Sequence, residues 1–169
     1  IPGYTLMQRA GAAALATLRR RWPGIQSIAV VCGGGNNAGD GYVLARLARA
    51  AGLQAQVFAL TDPARLKGDA ARAFADFAAA GGNHSNFGAG SLRGVGLVVD
   101  ALLGTGVDRP VAGTLRDCIE AVNAGGLPVL ALDTPKFRTS TGLSGVPPWR
   151  EDWSRLTKRR SSTVAMPAV

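Results

Sequence analysis

Residues 30–46 read VVCGGGNNAGDGYVLAR, an apolar run that stops at three glycines and resumes with the periodicity of a helix. The run begins at Ser27 and is short, β-branched and apolar on both faces, as is typical of an interior strand in a parallel sheet covered by helices. Consecutive glycines let the backbone approach a ligand closely, and the free N–H groups that open the next helix bind anions. The stretch therefore predicts a strand, an anion-binding loop and a helix.

Residues 33–38 fit the dinucleotide-binding pattern GxGxxG/A, which is a weak signal by itself. The neighbouring side chains are more specific, because Asn36, Asn37 and Asp40 bring several oxygen atoms to the anion site. A carboxylate there would repel a diphosphate unless it binds a ribose hydroxyl or a cation. Two interpretations stay open. These side chains bind a ligand, or they satisfy the loop backbone and stabilise the helix N-terminus.

The rest of the chain alternates strands with helices. We predict strands over residues 54–60, 97–100 and 128–132, helices over residues 39–51, 62–80 and 113–123, and at most a short edge strand within residues 83–94. A first helix precedes them, with an apolar stripe of Leu6, Ala10, Ala13, Ala14 and Leu18. Such alternation produces βαβ units with right-handed crossovers. The predicted fold is α/β, a three-layer αβα, doubly wound, Rossmann-like domain with a mostly parallel sheet.

Acidic residues follow three of the predicted strands. The glycine loop leads to Asp40, a second strand ends at Asp100, and a third is followed by Asp133. Ligands of doubly wound sheets bind beyond the carboxyl ends of the strands, so these sites should converge on one crevice. The alternative for each acid is structural, since an aspartate at a strand end often caps the following turn.

Composition and charge narrow the class of protein. The 169 residues are 47% apolar and carry a formal net charge of +8, enough apolar content for one core. The basic excess is concentrated after residue 135, and no aromatic residues interleave with the cluster Arg19–Arg21, so a nucleic-acid partner is not indicated. Cys32 and Cys118 are predicted to be core residues, and His84 a solvated loop residue.

The lack of a long apolar run or signal-like start favours a cytoplasmic protein without a membrane partner.

Four motifs occur in order along the chain. Residues 4–11 read YTLMQRAG, residues 36–46 NNAGDGYVLAR, residues 100–106 DALLGTG and residues 129–135 VLALDTP. Together they resemble the LMxxAG, GNNGGDGxVxAR, DAlxGtG and vxalDiPSG blocks of the YjeF N-terminal domain family, the NAD(P)H-hydrate epimerases. The resemblance covers residues 1–135, and we expect the natural chain to begin before Ile1.

The resemblance implies an isomerase of nicotinamide nucleotide repair. It would interconvert, at C6 of the nicotinamide ring, the R and S forms of hydrated NADH and NADPH (NADHX and NADPHX). The partner enzyme NAD(P)H-hydrate dehydratase would then use the S form, and a homodimer stays open.

The same resemblance implies roles for individual residues. Asp133 would be the catalytic acid or base, and Asn37 and Asp100 would ligate a potassium ion, a hard cation suited to oxygen ligands. The implied substrate-binding residues are Asn36, Asn37, Ala38, Gly39, Asp40, Gly104, Thr105, Gly106, Val107, Asp108, Arg109, Pro110 and Asp133.

The resemblance ends after Pro135. The family continues with PSGL, whose serine helps to hold potassium, whereas this chain continues with residues 136–139, KFRT. We therefore predict a YjeF N-terminal-like domain over residues 1–135, truncated at both ends, and a divergent basic tail over residues 136–169, weakly ordered and without a strand. A frameshift near codon 136 would explain the change, since KFRT can be encoded by AAG-TTC-CGG-ACN, which reads as SSG one base later. We favour it over a role for Lys136 in place of potassium, and expect the epimerase to be impaired.

Two other functions stay open. A generic NAD(P)-dependent oxidoreductase would use the same glycine loop with Asp62 near the ribose, although no second catalytic motif accompanies it. A non-catalytic nucleotide-binding or scaffold module of the same fold is the stronger alternative, because a damaged C-terminus would leave binding without turnover.

Overall fold

The computed structural model describes residues 1–104 and 111–132, together with the backbone of residues 163–165. The helices are α1 (Gly3–Arg21), α2 (Asn36–Ala50), α3 (Gly68–Ala79) and α4 (Gly113–Ala124), with a 3-10 turn at Pro63–Arg65. The strands are β1 (Ser27–Cys32), β2 (Gln54–Ala59), β3 (His84–Ser85), β4 (Leu97–Ala101), β5 (Val129–Ala131) and β6 (Thr163–Ala165). Among these residues, no helix combines the length and the apolar character that a membrane span requires.

The strands form one sheet in the order β3-β2-β1-β4-β5-β6, and every pair is parallel. Side chains of β1 alternate between two cores. Ile28, Val30 and Cys32 pack with α1, α2 and α3, whereas Ala29 and Val31 pack with α4 on the other face. The predicted three-layer, doubly wound, Rossmann-like fold is confirmed, and β2, β4, β5 and α4 lie within one residue of their predicted bounds.

Two helices begin at other residues than the sequence predicts. α2 begins three residues earlier, at Asn36, because Gly35 is extended and its carbonyl oxygen already accepts a helical hydrogen bond. The segment predicted as one helix from Asp62 is divided into the 3-10 turn and α3. Gly68 separates the two, since its φ of +56° places it in the left-handed region that favours glycine. Asp62 is a cap as predicted, but it caps the 3-10 turn by accepting from the N–H of Ala64 at 3.0 Å.

The buried face of α1 also differs from the predicted stripe. Its buried residues are Tyr4, Met7, Gly11, Ala14, Leu15 and Leu18. Leu6 and Ala10 are only half-buried, and Ala13 is exposed. A Cβ at Gly11 would overlap the side chain of Val43 in α2. The two helices are therefore in close contact at a glycine, a residue that an apolar pattern does not take into account.

Strand β6 is not predicted by the sequence analysis. It runs parallel to β5, with Leu130 opposite Val164. The expectation that the tail contains no strand is therefore wrong for residues 163–165, a short β-branched run that fits a sheet edge. The rest of the tail lies outside the described residues, and its weak order stays a prediction.

The substitution Gly41→Ala tests the packing of α2 on the sheet. A Cβ at position 41 would lie 2.7 Å from the Cβ of Ala101 and 3.1 Å from the Sγ of Cys32. Alanine favours a helix by about 1 kcal/mol over glycine, but overpacking costs about 1 to 3 kcal/mol. We expect urea denaturation to show a lower free energy of unfolding for this variant.

The matched control is Gly24→Ala, because a Cβ at that position would meet no atom within 4 Å. If Gly41→Ala were as stable as this control or as the parent protein, α2 would not pack on the sheet as closely as described.

Candidate functional site

The candidate site lies at the carboxyl ends of β1 and β4. These strands are neighbours, with Val31 opposite Asp100. The chain continues from them towards opposite edges of the sheet, to β2 and to β5. Such a reversal of strand order opens a crevice in which doubly wound proteins bind ligands. The glycine loop after β1 and the β4 loop (residues 102–104) flank this crevice.

The two loops touch at Gly33. Its N–H donates to the carbonyl oxygen of Ala101 at 3.0 Å, and a Cβ at this position would overlap the carbonyl oxygen of Leu102. Glycine is required here because the backbone of the neighbouring loop occupies the space of a side chain. The first glycine of the motif therefore serves the packing of the two loops.

Asn37 is a buried polar residue in the first turn of α2, with 7% of its surface exposed. Its Nδ2 donates to the carbonyl oxygen of Leu103 at 3.1 Å. Its Oδ1 is also buried and has no hydrogen-bond partner among the described residues. A buried acceptor left unpaired costs about 1 to 3 kcal/mol. This oxygen is therefore available to accept a hydrogen bond or to ligate a cation.

Asp100 is held by the same β4 loop. Its Oδ1 accepts from the N–H of Leu102 at 3.0 Å. Burial raises the pKa of this carboxyl group, and the hydrogen bond from Leu102 opposes the shift without cancelling it. A nearby cation would offset the cost of burying the ionised carboxylate. Asn37 and Asp100 are thus anchored to adjacent residues, Leu103 and Leu102.

The other predicted site residues have different surroundings. Asn36 is exposed, Ala38 and Gly39 are buried, and Asp40 and Gly104 are half-buried. A side chain at Gly39 would overlap α1, so this glycine permits a close contact between helices. Thr105, Gly106, Val107, Asp108, Arg109, Pro110 and Asp133 lie outside the described residues. The functional roles of both groups stay predictions.

The cysteines lie in the core as predicted, and His84 is exposed as predicted but lies in a strand and not in a loop. Cys32 and Cys118 are free and buried. Burial raises the pKa of Cys118 to about 12 and raises that of Cys32 as well, so both are protonated at neutral pH. His84 is exposed on the edge strand β3, against the ring of Phe74. In the part of the chain that the structure describes, no three His, Cys, Asp or Glu side chains form a metal cluster.

Two basic residues after β2 are not singled out by the sequence analysis. Arg65 and Lys67 line a cleft of about 750 Å³ together with Gly34, Gly35 and Asn36. Their position after β2 could have pointed to them in the sequence. In dinucleotide-binding folds, residues of the loop after the second strand contact the ribose of the adenosine.

A doubly wound sheet with a buried amide and a half-buried carboxylate at its switch point defines the class, which is a Rossmann-like α/β domain with a crevice at that point. Residues 3–145 match the family described as YjeF-related protein N-terminus. The chain belongs to this family. The match extends beyond Pro135, where the motifs recognised in the sequence end.

The chain is similar to several bacterial enzymes. It is 42% identical over 135 residues to an NAD(P)H-hydrate epimerase of Bordetella bronchiseptica, covering 79% of this chain and 58% of the relative. It is 44% identical over 135 residues to a bifunctional NAD(P)H-hydrate repair enzyme Nnr of Coxiella burnetii, covering 80% of this chain and 28% of that enzyme. The chain thus spans less than two thirds of the length of these relatives.

A solved structure supports the fold. The crystal structure of the yeast protein YNL200c superposes with a TM-score of 0.73 at 19% identity, covering 99% of this chain and 79% of the yeast chain. At this identity the similarity concerns the architecture alone.

Asp100→Asn tests the burial of the carboxylate in potassium-free buffer. Because folding raises the pKa of Asp100, its contribution to stability falls as the pH rises from the unfolded value of about 3.9 through the folded pKa. Asparagine keeps an acceptor for Leu102 and carries no charge. We expect the variant to be more stable than the parent at pH 7 in thermal unfolding, with the difference shrinking towards pH 4.

The exposed Asp117→Asn is the control and should change stability by less than about 0.5 kcal/mol at both pH values. A stability difference for Asp100→Asn that does not depend on pH would contradict the assigned burial.

Proposed function

We propose that this chain interconverts the R and S forms of NADHX and NADPHX, the activity named for its relatives. The unpartnered, buried Oδ1 of Asn37 at the switch point of the sheet is the structural observation that carries this proposal. It lies in a motif that resembles the family signature, in a chain 42% identical to an epimerase.

The glycine loop and the N-terminus of α2 would bind the diphosphate of the substrate. α2 begins at Asn36, so the N–H groups of its first turn are free of helical partners. Gly34 and Gly35 are exposed beside them. Free N–H groups and the positive end of the helix dipole together favour an anion.

A potassium ion would be held by the Oδ1 of Asn37 and the carboxylate of Asp100. The residues fit such an ion, since a buried amide oxygen without a partner among the described residues and a half-buried carboxylate are both ligands for a hard cation. When bound, the ion would supply positive charge that balances Asp100 and the substrate diphosphate. Both ligands are oriented by the β4 loop, through Leu103 and Leu102.

Asp133 is the proposed acid or base at the hydrated nicotinamide ring. The N–H of Leu132, the residue before it, donates to the carbonyl oxygen of Asp100 at 3.0 Å. The chain therefore arrives beside Asp100 immediately before Asp133. Residues 105–110, which follow the β4 loop, would cover the dinucleotide in this proposal.

The name of the bifunctional repair enzyme supports a dehydratase as the partner that consumes the S form. A cytoplasmic location and a homodimer stay predictions. The alternative oxidoreductase, with Asp62 near the ribose, gains no support, since the Asp62 carboxylate accepts from the N–H of Ala64.

The proposal is tested with the purified full chain and separated R and S forms of NADPHX, in potassium or in tetramethylammonium chloride. Chromatography of the two forms should show faster equilibration with protein than without, and tighter binding of NADPHX in potassium. Asn37→Ala should lower the rate at least tenfold and abolish the potassium effect, because it removes the unpartnered oxygen. Asp133→Asn should remove the activity and should weaken substrate binding far less than it lowers the rate.

The matched control is Asn123→Ala. Asn123 also has a buried amide nitrogen without a partner among the described residues. It lies near the end of α4, where the chain has returned to the amino ends of the strands, away from the crevice. Binding of NADPHX without equilibration would favour the non-catalytic module. Equal binding in both salts would contradict the potassium site.

The frameshift hypothesis for the tail is tested separately. Resequencing the gene around codon 136 decides whether the frame is intact. We expect a version in which Pro135 is followed by the family's serine and glycine to equilibrate NADPHX faster than the present chain. Equal rates of the two versions, with an intact genomic frame, would overturn both the frameshift and the predicted impairment.

A further inference from the structure

A basic cleft of about 750 Å³ lies beside the glycine loop. Gly34, Gly35 and Asn36 line it together with Arg65 and Lys67. Both cationic side chains are exposed, and within the described ranges neither forms an ion pair with a carboxylate. The described residues that line the cleft include no acid. The cleft therefore presents positive charge next to the N-terminus of α2, which is also attractive to anions.

The two cations flank a buried leucine in the loop after β2. Leu66 and Lys67 have extended conformations, and Leu66 is buried in the core. Arg65 ends the 3-10 turn, and Arg65 and Lys67 are exposed on either side of the buried Leu66 and line the same cleft. Thr61, at the start of the loop, lies beside the glycine loop, because its Oγ1 would lie 3.1 Å from a Cβ at Gly34.

The acidic residue of this loop, Asp62, caps the 3-10 turn and is not among the residues that line the cleft. In dinucleotide-binding folds, an acid after the second strand binds the 2′-hydroxyl of the ribose, whereas a nearby arginine accommodates a 2′-phosphate. Here the Oδ1 of Asp62 accepts from the N–H of Ala64 at 3.0 Å. An arginine and a lysine line the cleft in place of this acid.

We propose that Arg65 and Lys67 bind the 2′-phosphate of NADPHX, so that the chain prefers NADPHX to NADHX; this inference rests on the proposed function. The planar guanidinium of Arg65 suits two parallel hydrogen bonds to phosphate oxygens, and the ammonium of Lys67 adds a compact charge. The glycine loop would hold the bridging diphosphate at the same time.

The kinetic test compares kcat/KM for NADPHX and NADHX. The parent protein should prefer NADPHX at least tenfold, and the double variant Arg65→Ala, Lys67→Ala should lower the ratio of the two values at least tenfold. Arg65→Lys, which keeps the charge, should retain part of the preference. The control Arg20→Ala removes an exposed arginine at the end of α1 and should leave the ratio unchanged. An equal loss for both substrates would place the bridging diphosphate in the cleft and overturn the inference.

A binding test separates this inference from the proposed activity. Calorimetry compares adenosine 2′,5′-bisphosphate with adenosine 3′,5′-bisphosphate, which carries the same charge at another position of the ribose. We expect the 2′ isomer to bind at least fivefold more tightly, and the double variant to bind both equally. Equal binding by the parent protein would overturn the inference, whether or not the protein epimerises. Preference without epimerisation would contradict the proposed function alone.

Discussion

The contact between the glycine loop and the β4 loop is the constraint on which the site depends. At Gly33 the backbones of two adjacent strands meet without a side chain between them. This contact fixes the beginning of α2 relative to β4, and only then can the amide of Asn37 reach the carbonyl oxygen of Leu103. The crevice at the switch point is therefore a consequence of backbone packing, and the polar residues are placed by it.

Two polar groups of the crevice, the side chains of Asn37 and Asp100, lack a compensating partner among the described residues. Asn37 uses its donor and leaves its acceptor unpartnered, while Asp100 has a carboxylate whose ionised form is disfavoured by burial. A cation would satisfy both, because it binds a neutral oxygen and balances a negative charge. Two observations of different kinds, a missing hydrogen bond and a raised pKa, thus support the same proposed ion.

The sequence predicted the sheet because its interior strands are continuous apolar runs that are separated by helical periodicity. The same patterns could not predict contacts made by residues without side chains. Gly11 sets the buried face of α1, and Gly68 divides the helix predicted after β2. The basic cleft was missed because the burial of Leu66 and the approach of Arg65 and Lys67 to the glycine loop depend on tertiary packing.

Strand β6 was not predicted because of its length and its position. β6 is only three residues long and lies beyond the last recognised motif, so no periodicity could reveal it.

Asn37 and Asp100 lie far apart along the chain, and the topology of the sheet brings both to the β4 loop. Their placement at one edge follows from the fold, whereas their chemical roles stay predictions.

The packing of α2 also determines how much of the crevice must become ordered when a ligand binds. Gly39 lies against α1, and Gly41 lies against β1 and β4, so the first turns of the helix are clamped between a helix and the sheet. The N–H groups that face the crevice are therefore preorganised. A ligand would have to order few residues at the N-terminus of α2, and the loss of conformational entropy on binding would be correspondingly small. Its arrival and departure need not wait for this helix end to rearrange.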